Sequence, residues 1–298
     1  MKAIDTDKCR FRAMRIRPEY VMLAPSVVWI AVFLIIPVII LTVMSFYTLG
    51  LKGGMPVILP ELTVENYIQI FTNPVNLSII VFTVTLSLLV TALCILIAYP
   101  AAYFFAIKIK SPAIKTLILL LLLPYLWIDY TARTIAWFPI LGVSGMANYV
   151  LMGLGVLNEP SSIFFFNEFS ATLVMTQTYV LFMVFPIFLS MAKIDPTLLH
   201  AAETLGANRR QAFYNVTFRM SLPGLVVGCI FVFVFAMADF ATPRLLGGTI
   251  QTAGLSIAYL MGVLSWPLAT AFATVLIGIT LGVVYLFFRI ADVKSMVF

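Results

Sequence analysis

Charge is what this sequence has least of. Only 10% of its 298 residues are Asp, Glu, Lys or Arg, and 62% are hydrophobic. Soluble domains carry roughly 25% charged residues, so the composition is that of a polytopic membrane protein. Histidine occurs once, as His200, which excludes a multi-histidine metal or haem centre. The three cysteines, Cys9, Cys94 and Cys229, are odd in number and scattered, and the last two sit inside apolar runs. They suggest neither a disulfide framework nor a metal site. No G-x-x-x-x-G-K-[ST] phosphate loop occurs, so the chain itself should not hydrolyse ATP. His-Glu-x-x-His, Cys-x-x-Cys and Gly-x-Ser-x-Gly are missing as well. Asp129 and Glu168 are the nearest thing to a carboxylate pair, and nothing in their spacing supports catalysis.

What is present is a series of long apolar runs. Residues 1–17 hold Lys2, Lys8, Arg10, Arg12, Arg15 and Arg17, a basic arm too far from any small-residue cleavage site to read as a removed signal peptide. A first span is expected over Val21–Tyr47, with Pro25 and Pro37 tolerated by neighbouring packing. Residues 49–75, rich in Gly, Pro, Asn and Glu, read as an external loop. A second span fits within the charge-free stretch Leu77–Ile107, since about 20 apolar residues suffice to cross. The third starts near Thr116 and meets Asp129 and Arg133 towards its outer end. Residues 139–168 read as a long external segment with one or two short helices at the surface. Phe169–Ala192 is the fourth span and Met220–Ala238 the fifth. Leu245–Phe288 again carries no charge and is too long for one span. Gly247-Gly248, Gly254 and Trp266-Pro267 divide it into a short interfacial or re-entrant piece, Leu255–Ser265, and a sixth span, Ala269–Phe288.

The net charge of +6 invites a nucleic-acid reading, but the placement of the basic residues argues against it. Fifteen of the 18 fall in the N-terminal arm, in 108–115, in 193–219 or at the C-terminus; only Lys52, Arg133 and Arg244 lie elsewhere. Such a bias marks the cytoplasmic side. It predicts one compact helical domain of six crossings in a membrane, with both termini cytoplasmic.

Between Ile194 and Ala207 an island of polar and small residues separates two apolar runs. Asp195-Pro196 reads as a helix start, because Asp caps free N–H groups and Pro fits the first turn. Gly206 reads as the stop. Asn208 is a second cap, followed by Arg209-Arg210. The island is expected to fold as helix, sharp turn, helix, and Ala201-Ala202 leave the first helix a patch without bulk. Local chemistry alone also allows an ordinary loop between spans.

The pattern Asp-Pro-x-Leu-Leu-x-Ala-Ala-x-x-Leu-Gly-Ala, from Asp195 to Ala207, resembles the EAA loop of permease subunits in binding-protein-dependent ABC importers. The family's leading Glu is His200 here, and the Pro usual thirteen residues after the Gly is Arg219, while Leu222-Pro223-Gly224 is retained. The resemblance implies an all-α membrane protein of the type I ABC importer permease fold. It makes residues 1–20 a cytoplasmic arm and 21–298 a transmembrane domain, with 193–220 a cytoplasmic loop. That loop would dock in an ATPase cleft through Asp195, Pro196, His200, Ala201, Ala202, Glu203 and Gly206. Implied partners are a second permease subunit, two cytoplasmic ATPase subunits that hold ATP and Mg, a periplasmic binding protein and membrane lipid. No cofactor bound by this chain and no nucleic acid is implied. The setting is the bacterial inner membrane.

A charge at a span centre costs about 2.5–3.5 kcal/mol on insertion scales, so it normally faces a partner or a wet path. Asp129 and Arg133 are four apart and can pair on one helical face; Asp239 has Arg244 nearby. Either acid can instead line a solute path. Tyr125, Trp127, Tyr130 and Trp137 read as an interfacial aromatic belt, or as rings that stack on an organic cation. Pro124-Tyr125-Leu126-Trp127, Arg133-Thr134-Ile135-Ala136-Trp137, Leu141-Gly142, Gly145 and Asn148 resemble permease subunits of polyamine-type importers. So does Asp239-Phe240-Ala241-Thr242-Pro243-Arg244-Leu245-Leu246-Gly247-Gly248. That implies a path for a small organic solute, a polyamine or related cation, past Asp129, Arg133, Trp137 and Asp239. The alternative is a carrier or channel that works without an ATPase, against which the docking island argues.

Overall fold

A computed structural model describes residues 18–53, 55–109, 111–161, 164 and 166–290. The basic arm up to Arg17 and the C-terminal Lys294 lie outside the described residues. The described chain is helical apart from one hairpin. Its elements are α1 (Pro18–Ile30), α2 (Ile36–Met44), β1 (Tyr47–Lys52), β2 (Met55–Leu62), α3 (Glu65–Thr72), α4 (Pro74–Tyr103) and α5 (Pro112–Trp127). There follow α6 (Tyr130–Ile135), α7 (Phe138–Leu141), α8 (Met146–Gly153), α9 (Glu168–Ala192), α10 (Pro196–Thr204) and α11 (Arg209–Ala212). The last are α12 (Arg219–Ala238), α13 (Ala241–Leu246), α14 (Ala253–Gly262) and α15 (Trp266–Ile290). Short π-helical turns join α1 to α2 (Ala31–Ile35), extend α4 (Phe104–Lys108) and join α11 to α12 (Phe213–Phe218).

Among the described residues, six stretches are long and apolar enough to cross a membrane: Pro25–Met44, Pro74–Lys108, Tyr130–Gly153, Glu168–Ala192, Arg209–Ala238 and Trp266–Arg289. The number agrees with the expected six, and five of the positions agree. The third differs. The expected helix begins as α5 but stops after sixteen residues, about 24 Å of rise, and the chain breaks at Ile128-Asp129 before restarting as α6. Asp favours a cap over a helix interior because its carboxylate competes for backbone N–H groups. The apolar stretch that follows is itself broken into α6, α7 and α8, where Gly142 and Gly145 lie against carbonyl oxygens.

The core is where α4, α9 and α12 meet. Val90, Cys94 and Ala98 of α4 pack with Met175, Met183 and Ile187 of α9 and with Cys229, Val232 and Ala236 of α12. In a membrane, small residues let helix backbones close on one another. Gly224 shows the effect: a Cβ there would collide with the Pro186 carbonyl oxygen of α9. Cys94 and Cys229 are free buried thiols in this core.

Residues 49–75 are more ordered than the loop expected there. β1 and β2 pair antiparallel, Lys52 opposite Met55, around a turn in which Gly53 takes φ +63°. Asn66 of α3 anchors the hairpin's start, its Nδ2 donating to the carbonyls of Ser45 and Tyr47, both at 2.9 Å. The short helix expected near Leu255–Ser265 is α14, too short to cross. Its first turn is tied to α4 by the Ala253 N–H, which donates to Thr83 Oγ1 at 2.8 Å.

Candidate functional site

Two places carry the polar chemistry. The first is the island after α9. Asp195 caps α10, its carboxylate accepting from the Thr197 N–H at 2.8 Å, and Pro196 stands in the first turn. That N–H holds the Asp195 carboxyl below its usual range. The helix ends where Gly206 takes φ +86°, a left-handed conformation costly to any residue with a Cβ. The Gly206 N–H donates to the Glu203 carbonyl and the Ala207 N–H to that of Ala202. Asn208 then opens α11 with a reciprocal cap: its side chain accepts from the Gln211 N–H, and Gln211 Oε1 accepts from its N–H, both at 2.9 Å. This is the helix, sharp turn and helix expected from the residues. Ala201 and Glu203 are exposed, Ala202 is half-buried, and Leu205 stands 89% exposed at the tip. His200 lies on the same helix.

The second place lies where α6, α9, α12 and α13 come together. Asp239 follows the last residue of α12 and is only 4% exposed. Its Oδ2 accepts from the Tyr179 hydroxyl at 2.9 Å, and its Oδ1 accepts from the Thr242 N–H at 3.0 Å. Arg133 of α6, 9% exposed, donates from a terminal nitrogen to the Thr178 carbonyl at 3.3 Å. Its guanidinium carbon lies 4.6 Å from the centre of the Tyr125 ring, a stacking that favours a cation. Tyr125 is in turn locked to Gln177: its hydroxyl donates to the Gln177 carbonyl at 2.9 Å and accepts from Gln177 Nε2 at 2.6 Å. Trp137 Nε1 donates to Gln177 Oε1 at 3.2 Å. Between these groups is a cavity of about 310 Å³ lined by Tyr130, Arg133, Tyr179, Phe182, Phe235 and Asp239 among others.

Neither of the two ion pairs that the sequence allows is formed. Asp129 is exposed and turns its carboxylate onto the N–H groups of Thr131 and Ala132, at 2.9 and 3.3 Å, because the break before α6 makes it that helix's cap. Arg133 faces the other way, into the protein. Arg244 is exposed while Asp239 is turned inward, and no ion pair joins them. Of the four residues expected on a path, Arg133, Trp137 and Asp239 are gathered around α9, and Asp129 stands apart at the surface. Tyr125 belongs with them through its ring beneath Arg133, whereas Trp127 is exposed. Tyr179 and Gln177, which organise the group, drew no notice in the sequence, where they are uncharged residues of an apolar span. Among the described residues, no three His, Cys, Asp or Glu side chains converge as a metal site would require.

The fold is one seen before in a solved ABC transporter. It superposes on the crystal structure of a bacterial alginate ABC transporter, solved with an alginate-pentasaccharide-bound periplasmic protein, with a TM-score of 0.67 at 17% identity, covering 92% of this chain and 93% of that one. No protein-family model matches the chain. The family is shown by sequence relatives. The chain is 32% identical over 220 residues to the spermidine/putrescine transport system permease protein PotB of Haemophilus influenzae, covering 74% of each. It is 27% identical over 280 residues to PotB of Escherichia coli, covering 92% of this chain and 98% of that protein. This chain therefore belongs to the PotB-like family of ABC permeases. It is a multi-pass protein of the bacterial inner membrane and not an enzyme, since ATP hydrolysis in such systems falls to separate subunits.

Proposed function

We propose that the chain is one of two permease subunits of an ATP-driven importer, and that the pair encloses the path of a polyamine or related cation delivered by a periplasmic binding protein. Both termini and the loop 193–220 face the cytoplasm, with residues 1–20 a basic arm and 21–298 the transmembrane domain. Of the two ATPase subunits, which hold ATP and Mg, one docks on α10 of this chain through Asp195, Pro196, His200, Ala201, Ala202, Glu203 and Gly206. Arg133, Trp137 and Asp239 line the path, and Asp129 stands at its outer rim.

The observation that carries this reading is the geometry of α10. A capped helix of nine residues with an exposed Ala201 and a Gly206 turn at φ +86° offers a partner close approach to backbone. The polyamine assignment is supported by the PotB relatives, which are spermidine/putrescine permeases, and by a buried carboxylate beside aromatic rings. The test is Ala201→Glu in the complete complex. It should leave membrane insertion unchanged but abolish uptake, with ATPase pull-down falling in parallel. Normal uptake and normal pull-down would remove α10 as the docking element.

A further inference from the structure

Glu168, in the first turn of α9, is exposed and stands where two cavities meet. One, of about 630 Å³, lies between the first turns of α4, the start of α9 and the segment after α13, with Ser78, Thr85, Thr249 and Gln251 as its other polar lining. The second, of about 700 Å³, is a furrow between α4 and α9, walled by Leu89, Leu93 and Ile97 on one side and by Leu173 and Val180 on the other. The walls are fixed. Gly248, at φ +63°, packs against the Phe166 carbonyl and so sets residues 249–251 beside the start of α9. The Ala253 N–H, held by Thr83, ties the same segment to α4.

The lining has one sign. Among the described residues, no Lys or Arg lines either cavity, and none donates to the Glu168 carboxylate. The first turn of α9 favours a negative charge at that place. The hydroxyls lean the same way. Ser78 spends its proton on the Val75 carbonyl, Thr85 on that of Val81, Thr172 on that of Glu168 and Thr176 on that of Thr172, all at 2.7–2.8 Å. A hydroxyl has one proton and two acceptor lone pairs, so these four offer a guest acceptors only. With a free carboxylate and no basic residue beside them, the lining favours a cation over an anion. We infer that Glu168 is the entry acid of the solute path: it takes a terminal ammonium group of an extended polyamine, and the apolar furrow takes the methylene chain behind it. The inference rests on the proposed polyamine path and its orientation, and gives that path its outer half. Gln177 lines the same furrow nine residues further along α9, about 13 Å of rise. It is the residue that holds Tyr125 and Trp137, so the furrow leads from Glu168 to the group around Arg133.

The test uses the assembled permease–ATPase complex in nanodiscs, with no binding protein present. Thr85→Cys, an exposed position on the wall facing Glu168, is introduced together with Cys9→Ser. It is labelled with cationic 2-(trimethylammonium)ethyl methanethiosulfonate and with anionic 2-sulfonatoethyl methanethiosulfonate. Each rate is divided by that of a free thiol in solution. One unit charge about 8 Å away in water-like surroundings should favour the cationic reagent about fivefold. Spermidine should slow the labelling, whereas uncharged 1,4-butanediol should not. Glu168→Gln should remove both the preference and the protection, and Glu168→Asp should keep both. In the complete importer, Glu168→Gln should lower spermidine uptake at subsaturating concentration about two- to fivefold, the range of a partly exposed ion pair. Equal normalised rates for the two reagents, labelling that spermidine leaves unchanged, or effects that persist in Glu168→Gln would each overturn the entry site. So would weaker association of the binding protein with Glu168→Gln while protection by spermidine persists, since the acid would then serve protein docking. Those results beside wild-type uptake of spermidine leave the polyamine path standing without Glu168. Uptake of neither spermidine nor 1,4-diaminobutane by the wild-type importer would overturn the path reading itself.

Discussion

Gly206 separates backbone conformation from crowding in a way few positions allow. Its φ is +86°, and a Cβ added there would meet no atom within 4 Å. Any cost of substitution within this chain is therefore conformational. A left-handed backbone costs an ordinary L-residue about 1–2 kcal/mol, enough to change the population of the native turn by a factor of about 5–30. Asn, whose short side chain tolerates that region, should lose least, Ala an intermediate amount, and a β-branched residue most. Gly206→Asn, Gly206→Ala and Gly206→Val should thus form a graded series. The turn sets the angle between α10 and α11, so uptake by the complete importer should fall in the order Asn, Ala, Val, with ATPase pull-down following it. Amounts of permease in the membrane should stay level, because the core at α4, α9 and α12 is untouched. Uptake equal in Gly206→Val and Gly206→Asn, both at wild-type level, would refute the argument that left-handed geometry at this turn matters.

Two further outcomes are expected. Asp129→Asn and Asp239→Asn should each lower solute uptake without reducing insertion or ATPase association. The first variant is the cleaner, because Asn caps a helix about as well as Asp and removes only the charge; wild-type uptake kinetics would take either acid off the path. Cysteines introduced at Gly53, Asn158 and Thr249, all exposed, should react with an impermeant maleimide from the periplasm. Labelling of any of them only from the cytoplasm would break the proposed orientation.

What the sequence made legible was local. Asp195-Pro196, Gly206 and Asn208 act within four residues of themselves, so their roles as start, stop and restart could be read off the chain, and the structure has all three. Five of six spans were legible because lipid demands long apolar runs and charge is confined to their ends. The misreadings have physical causes. Treating Asp129 and Arg133 as neighbours on one helical face assumed an unbroken helix, whereas the free N–H groups of α6 captured the Asp129 carboxylate and Arg133 was drawn to Tyr125 and Thr178. The hairpin did leave a signal, Gly53-Gly54 between two runs rich in apolar residues, a pattern that favours tight strand turns. The partnership of Tyr179 with Asp239 left none: sixty residues separate them, and only the packing of α9 on α12 brings them together.

The π-helical turn at Phe213–Phe218 bears on how relatives of different length can share this architecture. Such a turn is an α-helix that has absorbed one surplus residue, the hydrogen bonds widening locally from i−4 to i−5. Phe213 meets Tyr99 and Tyr103 edge-on, with ring centres 6.2 and 5.6 Å apart, and Phe218 meets Tyr99 at 5.9 Å, so the bulge has its own packing. On either side of it the faces of α11 and α12 keep their bearings, since the surplus is taken up within the turn. A descendant that lost one residue here would tighten to plain α-helix and still offer α12 to the core and α11 to the turn at Gly206. Single-residue gaps among PotB-like permeases should therefore gather at this turn, and a one-residue deletion within it should be better tolerated than the same deletion a few turns later, where Gly224 and Gly228 fit against α9.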